Sequence, residues 1–538
     1  MSAAQKAELS ASAGALVVEA HGGSLVAAAQ SVLVAAEGLP AALVAKDPTL
    51  WGPDAASEAG VRLGWLDAVT TGRALLPSVL ALRDELAAEG VDRVVLCGMG
   101  GSSLAPEVVC AAAGRPLVVV DTTDPGQVRA AFVELERTVV VVSSKSGGTL
   151  ETDSHRRAAR AAFEAAGVDP TRRVVVVTDP GSPFEQAAHA EGSRAVFLAD
   201  PDVGGRYSAL TAFGLVPAAL AGVDVEALLD EAAALEPSLS QPDSPALLLG
   251  ALLAGGATAG RDKLILVAGA GGFGDWAEQL VAESTGKQGK GLLPVVVESA
   301  DAPGTEPAAD SHLVLVDATG SSAPHTSVSG PLGAQFLAWE FATAVAGWSL
   351  RINPFDQPNV QESKDRTSAI LDGDPVAVAP AVFVEGGVEV HASGELLTGV
   401  QDVAGALAAL LGAVPERGYL AVMAYLDRQA NAAAHDLRAL LARRLAHPVT
   451  FGWAPRFLHS TGQLHKGGPQ TGAFLQLTGV VAQDLEVPGR PFTFGQLQAA
   501  QALGDLGALQ ERDRPVLRLH LLDRDEGLAT VLRAAAGT

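Results

Sequence analysis

The feature that most constrains the fold is a set of continuous β-branched runs, each ending in glycine, aspartate or hydroxyl residues. They occupy residues 92–103 (DRVVLCGMGGSS), 115–125 (RPLVVVDTTDP), 137–148 (RTVVVVSSKSGG) and 172–183 (RRVVVVTDPGSP). Such runs are typical of strands buried on both faces of a parallel sheet. Helical stretches such as residues 152–167 separate them. This strand–helix alternation predicts a doubly wound parallel sheet.

A second series of the same kind follows, which predicts a second sheet. It comprises residues 262–286, 292–301 and 311–320, where apolar runs again end in glycine or acidic residues. The predicted fold class is therefore α/β, with two doubly wound parallel-sheet domains. The predicted organisation is a helical N-terminal segment at 1–60, a first domain at 61–230, a second at 231–414 and a mixed C-terminal segment at 415–538.

Charge and cysteine content limit the partners of the chain. The formal net charge is −24 over 538 residues, so nucleic acid and membrane surfaces are poor partners. The two cysteines, Cys97 and Cys110, allow no disulfide framework, and the N-terminus lacks the apolar core of a signal peptide; both favour a cytoplasmic location. The cysteine spacing fits no metal site, and we expect neither a metal nor another cofactor.

Two loops rich in glycine and hydroxyl residues predict a phosphate site. They lie at 98–103 and 143–149, each at the end of a predicted strand, where ligands of doubly wound sheets bind. The hydroxyls of Ser144, Ser146 and Thr149 can donate to phosphate oxygens, and the helix that follows points its positive end at the loop. Ordinary helix capping would explain one such loop, but two in one sheet favour a phosphate.

The helix after the second glycine-rich turn carries a candidate base. Gln279 and Glu283 lie four residues apart and share one helical face beside Lys287 and Lys290. A carboxylate in such surroundings can act as a base, although a solvated helix end is the more ordinary interpretation. Arg206, in a glycine turn, could stabilise an oxyanion or simply pair with a carboxylate.

Two further segments carry candidate groups for proton transfer. Lys364 ends the segment 352–364 (INPFDQPNVQESK), whose prolines and amides predict a fixed loop rather than a helix interior. His459 and His465 stand in a glycine-rich turn, and histidine titrates near neutral pH. A structural role is the alternative for both histidines.

A third glycine pattern supports a rival enzyme class. Gly269, Gly271 and Gly274 spell G-x-G-x-x-G after a predicted strand, and Glu298 ends the next strand, as in a dinucleotide site. The alternatives are therefore an NAD-dependent oxidoreductase and a catalytically inert phosphosugar-binding protein. A tight strand-to-helix turn would also explain these glycines.

Five segments together resemble glucose-6-phosphate isomerases. Residues 98–104 resemble the G-I-G-G-S loop of that family, 143–152 its S-K-T-x-T-T-x-E-T loop and 204–215 its G-G-R-Y/F-S region. Residues 279–295 are similar to Q-L-x-x-E-S-x-G-K-x-G-K-G-x-x-P, and 352–364 to N-P-F-D-Q-P-G-V-E-x-x-K. Five matches in family order are specific, although each alone is not. The length and the Ala-rich start also resemble the isomerase half of transaldolase–isomerase fusions.

The resemblance implies two sugar isomerase (SIS) domains and an aldose–ketose isomerase of glycolysis and gluconeogenesis. Such an enzyme interconverts D-glucose 6-phosphate and D-fructose 6-phosphate through an enediolate, without a cofactor. The resemblance further implies that Glu283 is the base, that Lys364 and a histidine assist ring opening, and that Arg206 faces the reacting carbons. The residues implied to bind substrate are Gln279, Gln357, Gly101, Ser102, Ser144, Lys145, Ser146 and Thr149.

The histidine motif departs from the family order. The motif L-H-S-x-G-Q is expected between Glu283 and Lys364, where only His312 and His325 occur, but it stands at His459. We therefore predict that the C-terminal segment folds back and brings His459 close to Glu283. In the relatives this histidine comes from the partner subunit, so the resemblance implies a homodimer with shared active sites.

Overall fold

Three β-sheets with surrounding helices form the part of the chain that the computed structural model describes, residues 8–537 except 270, 320, 322, 374–379 and 393. The strands in chain order are β1 (Glu8–Ala13), β2 (Leu16–His21), β3 (Arg93–Gly98), β4 (Val118–Val120), β5 (Thr138–Ser143), β6 (Val174–Thr178), β7 (Ala195–Leu198), β8 (Lys263–Ala268), β9 (Leu293–Val297), β10 (Ser311–Val316), β11 (His325–Ser329), β12 (Phe383–Glu385), β13 (Val388–Ala392), β14 (Tyr419–Ala424), β15 (Val449–Trp453), β16 (Gly472–Gly479) and β17 (Val516–Leu521).

The helices pack on the faces of these sheets and between them. In chain order they are α1 (Gly23–Ala35), α2 (Leu39–Val44), α3 (Ala56–Ala59), α4 (Ala68–Ala88), α5 (Leu104–Ala112), α6 (Pro125–Ala131), α7 (Leu150–Ala165), α8 (Pro183–Ala190), α9 (Ala212–Leu220), α10 (Val225–Leu235), α11 (Pro245–Thr258), α12 (Phe273–Thr285), α13 (Leu332–Leu350), α14 (Pro358–Leu371), α15 (Val403–Gly412), α16 (Asp436–Ala442), α17 (Gly462–Gly467), α18 (Phe494–Gln510) and α19 (Arg524–Ala536). No helix in the described ranges is both long and apolar enough to cross a bilayer.

Sheet I contains the valine-rich runs and has the order β4-β3-β5-β6-β7, with every neighbouring pair parallel. Strands β5 and β6 are buried along their whole length, as runs without polar alternation require. The predicted parallel sheet is confirmed, and so is the α/β fold class. The loops at 98–103 and 143–149 follow β3 and β5, so both lie at the carboxyl edge of this sheet.

Sheet II has the order β1-β2-β11-β10-β8-β9, and its first two strands come from the N-terminal segment. Strands β11, β10, β8 and β9 are parallel, whereas β1 and β2 form an antiparallel hairpin on the β11 edge. The prediction of a helical N-terminal segment was therefore wrong for residues 8–21. The hairpin turns at Gly14 and Ala15, both with positive φ, as a two-residue type I′ turn requires.

Sheet III shows that the C-terminal segment is an α/β unit of its own. Its order is β12-β13-β17-β16-β14-β15, in which β17, β16, β14 and β15 are parallel and β12 and β13 antiparallel. Its apolar side chains pack against both other sheets: Phe457 and Phe474 lie in a cluster with Ile265 of β8, and Phe494 lies in a cluster with Val140 of β5. The domain limits at 60, 230 and 414 stay a prediction.

The prediction that Lys364 lies in a loop was wrong. The segment 352–364 was expected to be a fixed loop, but α14 begins at Pro358 and carries Lys364 in its interior. Proline is favoured at the first position of a helix because its missing N–H is not needed there and its φ already fits. Only residues 352–357 form the loop.

Candidate active site

The first phosphate-type loop lies against the turn that carries Arg206. A Cβ atom on Gly101 would lie 1.9 Å from the carbonyl oxygen of Gly205, so no larger residue fits at this contact. Gly100 adopts a positive φ of 54°, and a Cβ there would meet the side-chain amide of Gln279 at 2.7 Å. Ser102, the next residue along this loop, is buried. The two glycines thus allow the loop at 98–103 to contact both the Arg206 turn and α12.

The second loop holds hydroxyls that are not used as helix caps. Thr149 stands at the N-cap of α7, but its side chain makes no capping hydrogen bond, and the buried hydroxyl of Ser144 has no partner. Ser146 Oγ accepts the N–H of Gly148 at 3.2 Å. Lys145 Nζ lies 2.5 Å from Asp179 Oδ2. The geometry therefore leaves two hydroxyl groups of this loop for a ligand, while the Lys145 ammonium already has a carboxylate partner.

Arg206 and Glu283 form a buried ion pair at the centre of the site. Arg206 Nη1 lies 3.2 Å from Glu283 Oε1 and donates at 2.9 Å to Gln357 Oε1, while Nε donates at 2.8 Å to Ser284 Oγ. Nη2 donates to the carbonyl oxygens of Pro354 and Asp356 at 2.6 and 3.0 Å. The guanidinium is thus fixed on every side, and its charge faces the Glu283 carboxylate.

Lys287 fixes the loop that holds Arg206. Its ammonium lies 2.6 Å from both the carbonyl oxygen and Oδ1 of Asp356. Burial and the neighbouring charge of Arg206 lower the pKa of Lys287 to about 8, against the opposing effect of Asp356. Lys287 therefore holds Asp356, whose carbonyl oxygen accepts a hydrogen bond from Arg206, in place.

Gln279 joins the Glu283 pair to the C-terminal segment. One amide nitrogen, Nε2, donates to Glu283 Oε2 at 3.0 Å and to the carbonyl oxygen of His459 at 2.7 Å. The residues come from α12 and from the 3₁₀ turn Arg456–His459, which follows β15. The predicted return of the C-terminal segment to the Glu283 region is present in the fold, and His459 belongs to the same chain as Glu283. The sharing of active sites between subunits stays a prediction, which the contact of His459 with Gln279 within one chain does not require.

His459 forms a second ion pair with Glu151, a residue that the sequence analysis did not select. His459 Nε2 lies 3.1 Å from Glu151 Oε1, which also accepts Gln501 Nε2 at 2.7 Å. Burial opposes ionisation of Glu151, but the bond from His459, with the charges of His459 and Lys364, lowers its pKa to about 2. The acidic residue of the 143–152 pattern is a signal for Glu151; we find no comparable signal for Gln501.

A cavity of about 70 Å³ brings Lys364 to this pair. Its lining includes Glu151, Lys364, His459 and Gln501, together with Gly148 beside the second phosphate-type loop. The cavity therefore connects the hydroxyl loop with the histidine–carboxylate pair. Of the predicted groups, Lys364 and His459 line this cavity, and Arg206, Gln279, Glu283 and Gln357 form the adjoining hydrogen-bonded cluster.

The two alternative histidines lie elsewhere, in sheet II. His312, near the start of β10, is buried against Thr326 with its Nε2 2.9 Å from the threonine Oγ1, and burial lowers its pKa to about 3. His325 begins β11 and stacks on His21 with ring centres 4.6 Å apart. Both are explained by packing and by local hydrogen bonds.

The last glycine of the third pattern and its candidate ribose ligand both have packing or ion-pair partners within the protein. A Cβ on Gly274 would lie 2.7 Å from Val296 Cγ1, so this glycine allows α12 to pack closely on β9. Glu298, the candidate ribose ligand, accepts two hydrogen bonds from Arg438 at 2.7 and 2.5 Å. The carboxylate of Glu298 therefore joins sheet III to sheet II, and the dinucleotide alternative is not favoured.

Comparison with known sequences supports the resemblance. The phosphoglucose isomerase family matches residues 84–253. A probable glucose-6-phosphate isomerase of Haloarcula marismortui is 38% identical over 216 residues, which are 38% of this chain and 49% of that protein. A glucose-6-phosphate isomerase of Thermosynechococcus vestitus is 38% identical over 218 residues, 36% of this chain and 40% of that protein. The chain thus spans less than half the length of these relatives.

Solved structures share the fold over a longer stretch. A glucose-6-phosphate isomerase of Chlamydia trachomatis superposes with a TM-score of 0.54 and 18% identity, covering 68% of this chain and 89% of that one. A hypothetical protein of Thermus thermophilus superposes with a TM-score of 0.52 and 24% identity, covering 65% and 95%. The family match and these relatives confirm the resemblance predicted from the motifs, and the phosphoglucose isomerase family is the one that residues 84–253 match.

Proposed function

We propose that this chain is an aldose–ketose isomerase that interconverts glucose 6-phosphate and fructose 6-phosphate in glycolysis and gluconeogenesis. The observation that carries the proposal is the continuous network from Arg206 and Glu283, through Gln279, to His459 and Glu151. It places a carboxylate, a fixed guanidinium and a histidine side by side, next to a loop with unpaired hydroxyls. Aldose–ketose isomerisation of a cyclic sugar phosphate requires these groups.

Ring opening is assigned to His459 with Lys364 beside it. Because Glu151 is ionised, its carboxylate can only accept, so the Nε2 atom of His459 carries the proton of that hydrogen bond. The atom of His459 that exchanges a proton with the substrate is then Nδ1. It gives a proton to the ring oxygen as the bond from that oxygen to the anomeric carbon breaks, and the anomeric hydroxyl releases its proton to solvent water as the carbonyl forms.

Proton transfer between the two carbons is assigned to Glu283. Its Oε1 faces Arg206 and its Oε2 accepts from Gln279, so both oxygens are oriented before substrate binds. The carboxylate removes the proton from C2 of the aldose and returns it to C1 of the enediolate, while the hydroxyl proton on O2 moves to O1, which yields the ketose. Arg206 stabilises the negative charge of the enediolate through the charge of its guanidinium, which is held in place by bonds to Ser284, Gln357 and two carbonyl oxygens.

The phosphate is assigned to the two loops at the carboxyl edge of sheet I. Ser144, Ser146 and Thr149 supply hydroxyl donors, and Gly101 and Ser102 supply backbone close to the same edge. The N-terminus of α7 adds its positive end. Binding energy from this remote group orients the reacting carbons at Glu283. Lys145 contributes its positive charge to the loop as a whole, because Asp179 holds its ammonium.

We further propose a cytoplasmic location and a homodimer. Both cysteines are free and buried, which is compatible with a reducing compartment. The homodimer rests on the resemblance alone. Its active sites need not be shared, because His459 reaches Glu283 of its own chain through Gln279.

The direct test is formation of glucose 6-phosphate from fructose 6-phosphate by the purified chain. A coupling enzyme that oxidises glucose 6-phosphate with NADP⁺ reports the product as an absorbance rise. We expect a rise that depends on both the chain and the coupling enzyme. No rise above the blank would contradict the isomerase, and a rise with NAD⁺ in the absence of the coupling enzyme would indicate the oxidoreductase instead.

A further inference from the structure

A buried ionic cluster surrounds Arg456, at the other end of the 3₁₀ turn that ends at His459. Neither the sequence motifs nor the proposed mechanism gives this cluster a role. Its centre is Arg456, whose side chain is 9% exposed. Arg456 Nε donates to Asp121 Oδ2 at 2.5 Å, Nη1 donates to Asp275 Oδ2 at 3.3 Å, and Nη2 donates to Glu107. One guanidinium therefore binds three carboxylates, each through a different nitrogen.

The three carboxylates belong to the two sheets on which the C-terminal unit packs. Asp121 directly follows β4 and Glu107 lies on α5, both beside sheet I, whereas Asp275 lies in the first turn of α12 beside sheet II. Arg456 itself begins the 3₁₀ turn that follows β15 of sheet III. The residue thus connects all three sheets at the point where they meet.

The same turn ends at His459, and both ends of it are attached to α12. Arg456 binds Asp275, and three residues later the carbonyl oxygen of His459 accepts from Gln279, one helical turn after Asp275. Two attachment points one turn apart fix the position and the rotation of the short turn relative to α12. They therefore set where the His459 ring stands relative to Glu283, which lies one turn further along α12.

The cluster is too strongly charged to be an incidental surface contact. Burial opposes ionisation of Asp121, but the charges of Arg456 and Arg428 outweigh it and hold the pKa of this carboxyl below its usual value. Arg428 donates to Glu107 at 2.8 Å and belongs to the same cluster, but it follows β14 and is not on the His459 turn. A buried carboxylate that loses its arginine is costly, so the cluster favours one docked position of the turn.

We propose that Arg456 is a positioning residue for ring opening: it holds the His459 turn against α12 so that the imidazole meets the ring oxygen of the bound sugar. This rests on the proposed isomerase function. Arg456 reaches no reacting atom in this arrangement, because its nitrogens are bound to Asp121, Glu107 and Asp275. Its loss affects the step that needs His459 and leaves the enediolate step at Glu283 in place.

The test compares Arg456→Lys with Arg428→Lys as the matched control in the same cluster. Each variant is assayed on fructose 6-phosphate and on 5-deoxyfructose 6-phosphate, which lacks the hydroxyl that closes the ring. For Arg456→Lys we expect turnover of fructose 6-phosphate to fall about a hundredfold, since misplacement by about 1 Å has such effects. Exchange of the C1 proton of the open-chain analogue with solvent deuterium stays within about twofold of wild type, as do both rates of Arg428→Lys.

A second variant and a second readout cover failure to fold. Asp275→Ala removes the group through which Arg456 binds α12 and leaves Arg456 with two carboxylates, and we expect it to show the same split between the two substrates. The imidazole signals of His459 in NMR spectra shift or broaden in Arg456→Lys but not in Arg428→Lys. Equal losses on both substrates, no loss, or the same split in Arg428→Lys would overturn the proposal. If the wild type does not isomerise but the His459 signals respond as described, the proposed function and the role in ring opening fail, and only the attachment of the His459 turn by Arg456 stands.

Discussion

At the scale of single residues, the site is a chain of two ion pairs joined by one amide. Arg206 with Glu283 and His459 with Glu151 would be independent without Gln279, whose Nε2 atom serves both. Four of these five residues were predicted from motif positions. Glu151 was missed because a carboxylate at the start of a helix is usually interpreted as favourable for the helix dipole, and only the fold reveals its partner on the C-terminal segment.

Glu283→Gln removes the proposed base and keeps the shape of the side chain. We expect turnover to fall by at least about 10²–10⁴-fold, the usual contribution of a general base. Binding of the sugar phosphate should be largely kept, because the hydroxyl loop is untouched. The measurement is the coupled assay together with calorimetric titration of fructose 6-phosphate; wild-type turnover in this variant would refute the assignment.

The low pKa of Glu151 predicts a pH dependence of stability. Its carboxyl has a folded pKa of about 2, below the usual 4.5, so ionised Glu151 favours the folded state. This contribution is fully present above pH about 4.5 and is lost as pH falls towards 2, and amounts to at most about 3 kcal/mol. Urea unfolding of wild type and of Glu151→Gln between pH 6 and 3 measures it.

The free energies of unfolding of wild type and of Glu151→Gln should depend differently on pH. The free energy of unfolding of Glu151→Gln should fall less steeply with acid, because the variant lacks the group that titrates. Identical slopes in this window would mean that His459 does not hold Glu151 ionised.

At the scale of elements, every catalytic candidate except Lys364 lies on an element that follows the carboxyl end of a parallel strand. Lys364 lies on α14, which follows another helix. The hydroxyl loop follows β5, α12 follows β8 and the His459 turn follows β15, each in a different sheet. The apolar runs predicted the first two. The β1–β2 hairpin was not predicted because the alanines scattered through residues 8–21 carry little strand preference, and the hairpin is stabilised by pairing with β11.

The double variant Ser144→Ala/Thr149→Ala tests whether the loop at 143–149 binds phosphate. Among the described residues, the Ser144 hydroxyl has no hydrogen-bond partner, and the Thr149 hydroxyl makes no capping bond to α7. The double variant should therefore lose little stability. We expect KM for fructose 6-phosphate to rise by about tenfold or more, since each bond to a charged group contributes roughly 1.5–3 kcal/mol. Thr171→Ala, at an exposed turn, serves as the control; an unchanged KM in the double variant would leave these hydroxyls without a phosphate role.

At the scale of the whole molecule, elements that belong to all three sheets meet at the Arg456 cluster. The third sheet was predicted only as a mixed segment, because its strands β16 and β17 contain polar residues such as Gln476 and Arg518 that interrupt the apolar pattern. The packing of sheet III against the other two sheets could not be predicted from the hydrophobic periodicity of the sequence either. It depends on long-range pairs such as Arg438 with Glu298, whose partners lie far apart in the sequence.

Mixing two inactive variants tests whether a homodimer shares its active sites. Glu283→Gln and His459→Ala are unfolded together and refolded. If each site used the histidine of the partner, random pairing would restore about a quarter of the sites. Because His459 lies beside Gln279 of its own chain, we expect no recovery of turnover. Recovery to that level would show that the histidine crosses between subunits, and separately refolded variants provide the baseline.

The position of Arg456 also has a consequence for synthesis on the ribosome. Its partners Glu107, Asp121 and Asp275 emerge first and must wait for their common counter-charge. At about 5–20 residues per second, the roughly 180 residues between Asp275 and Arg456 take on the order of ten seconds to translate. Until Arg428 and then Arg456 emerge, the nascent chain carries an acidic surface where its sheets will meet. The order of translation therefore dictates that this junction is completed last, however early the first two sheets fold.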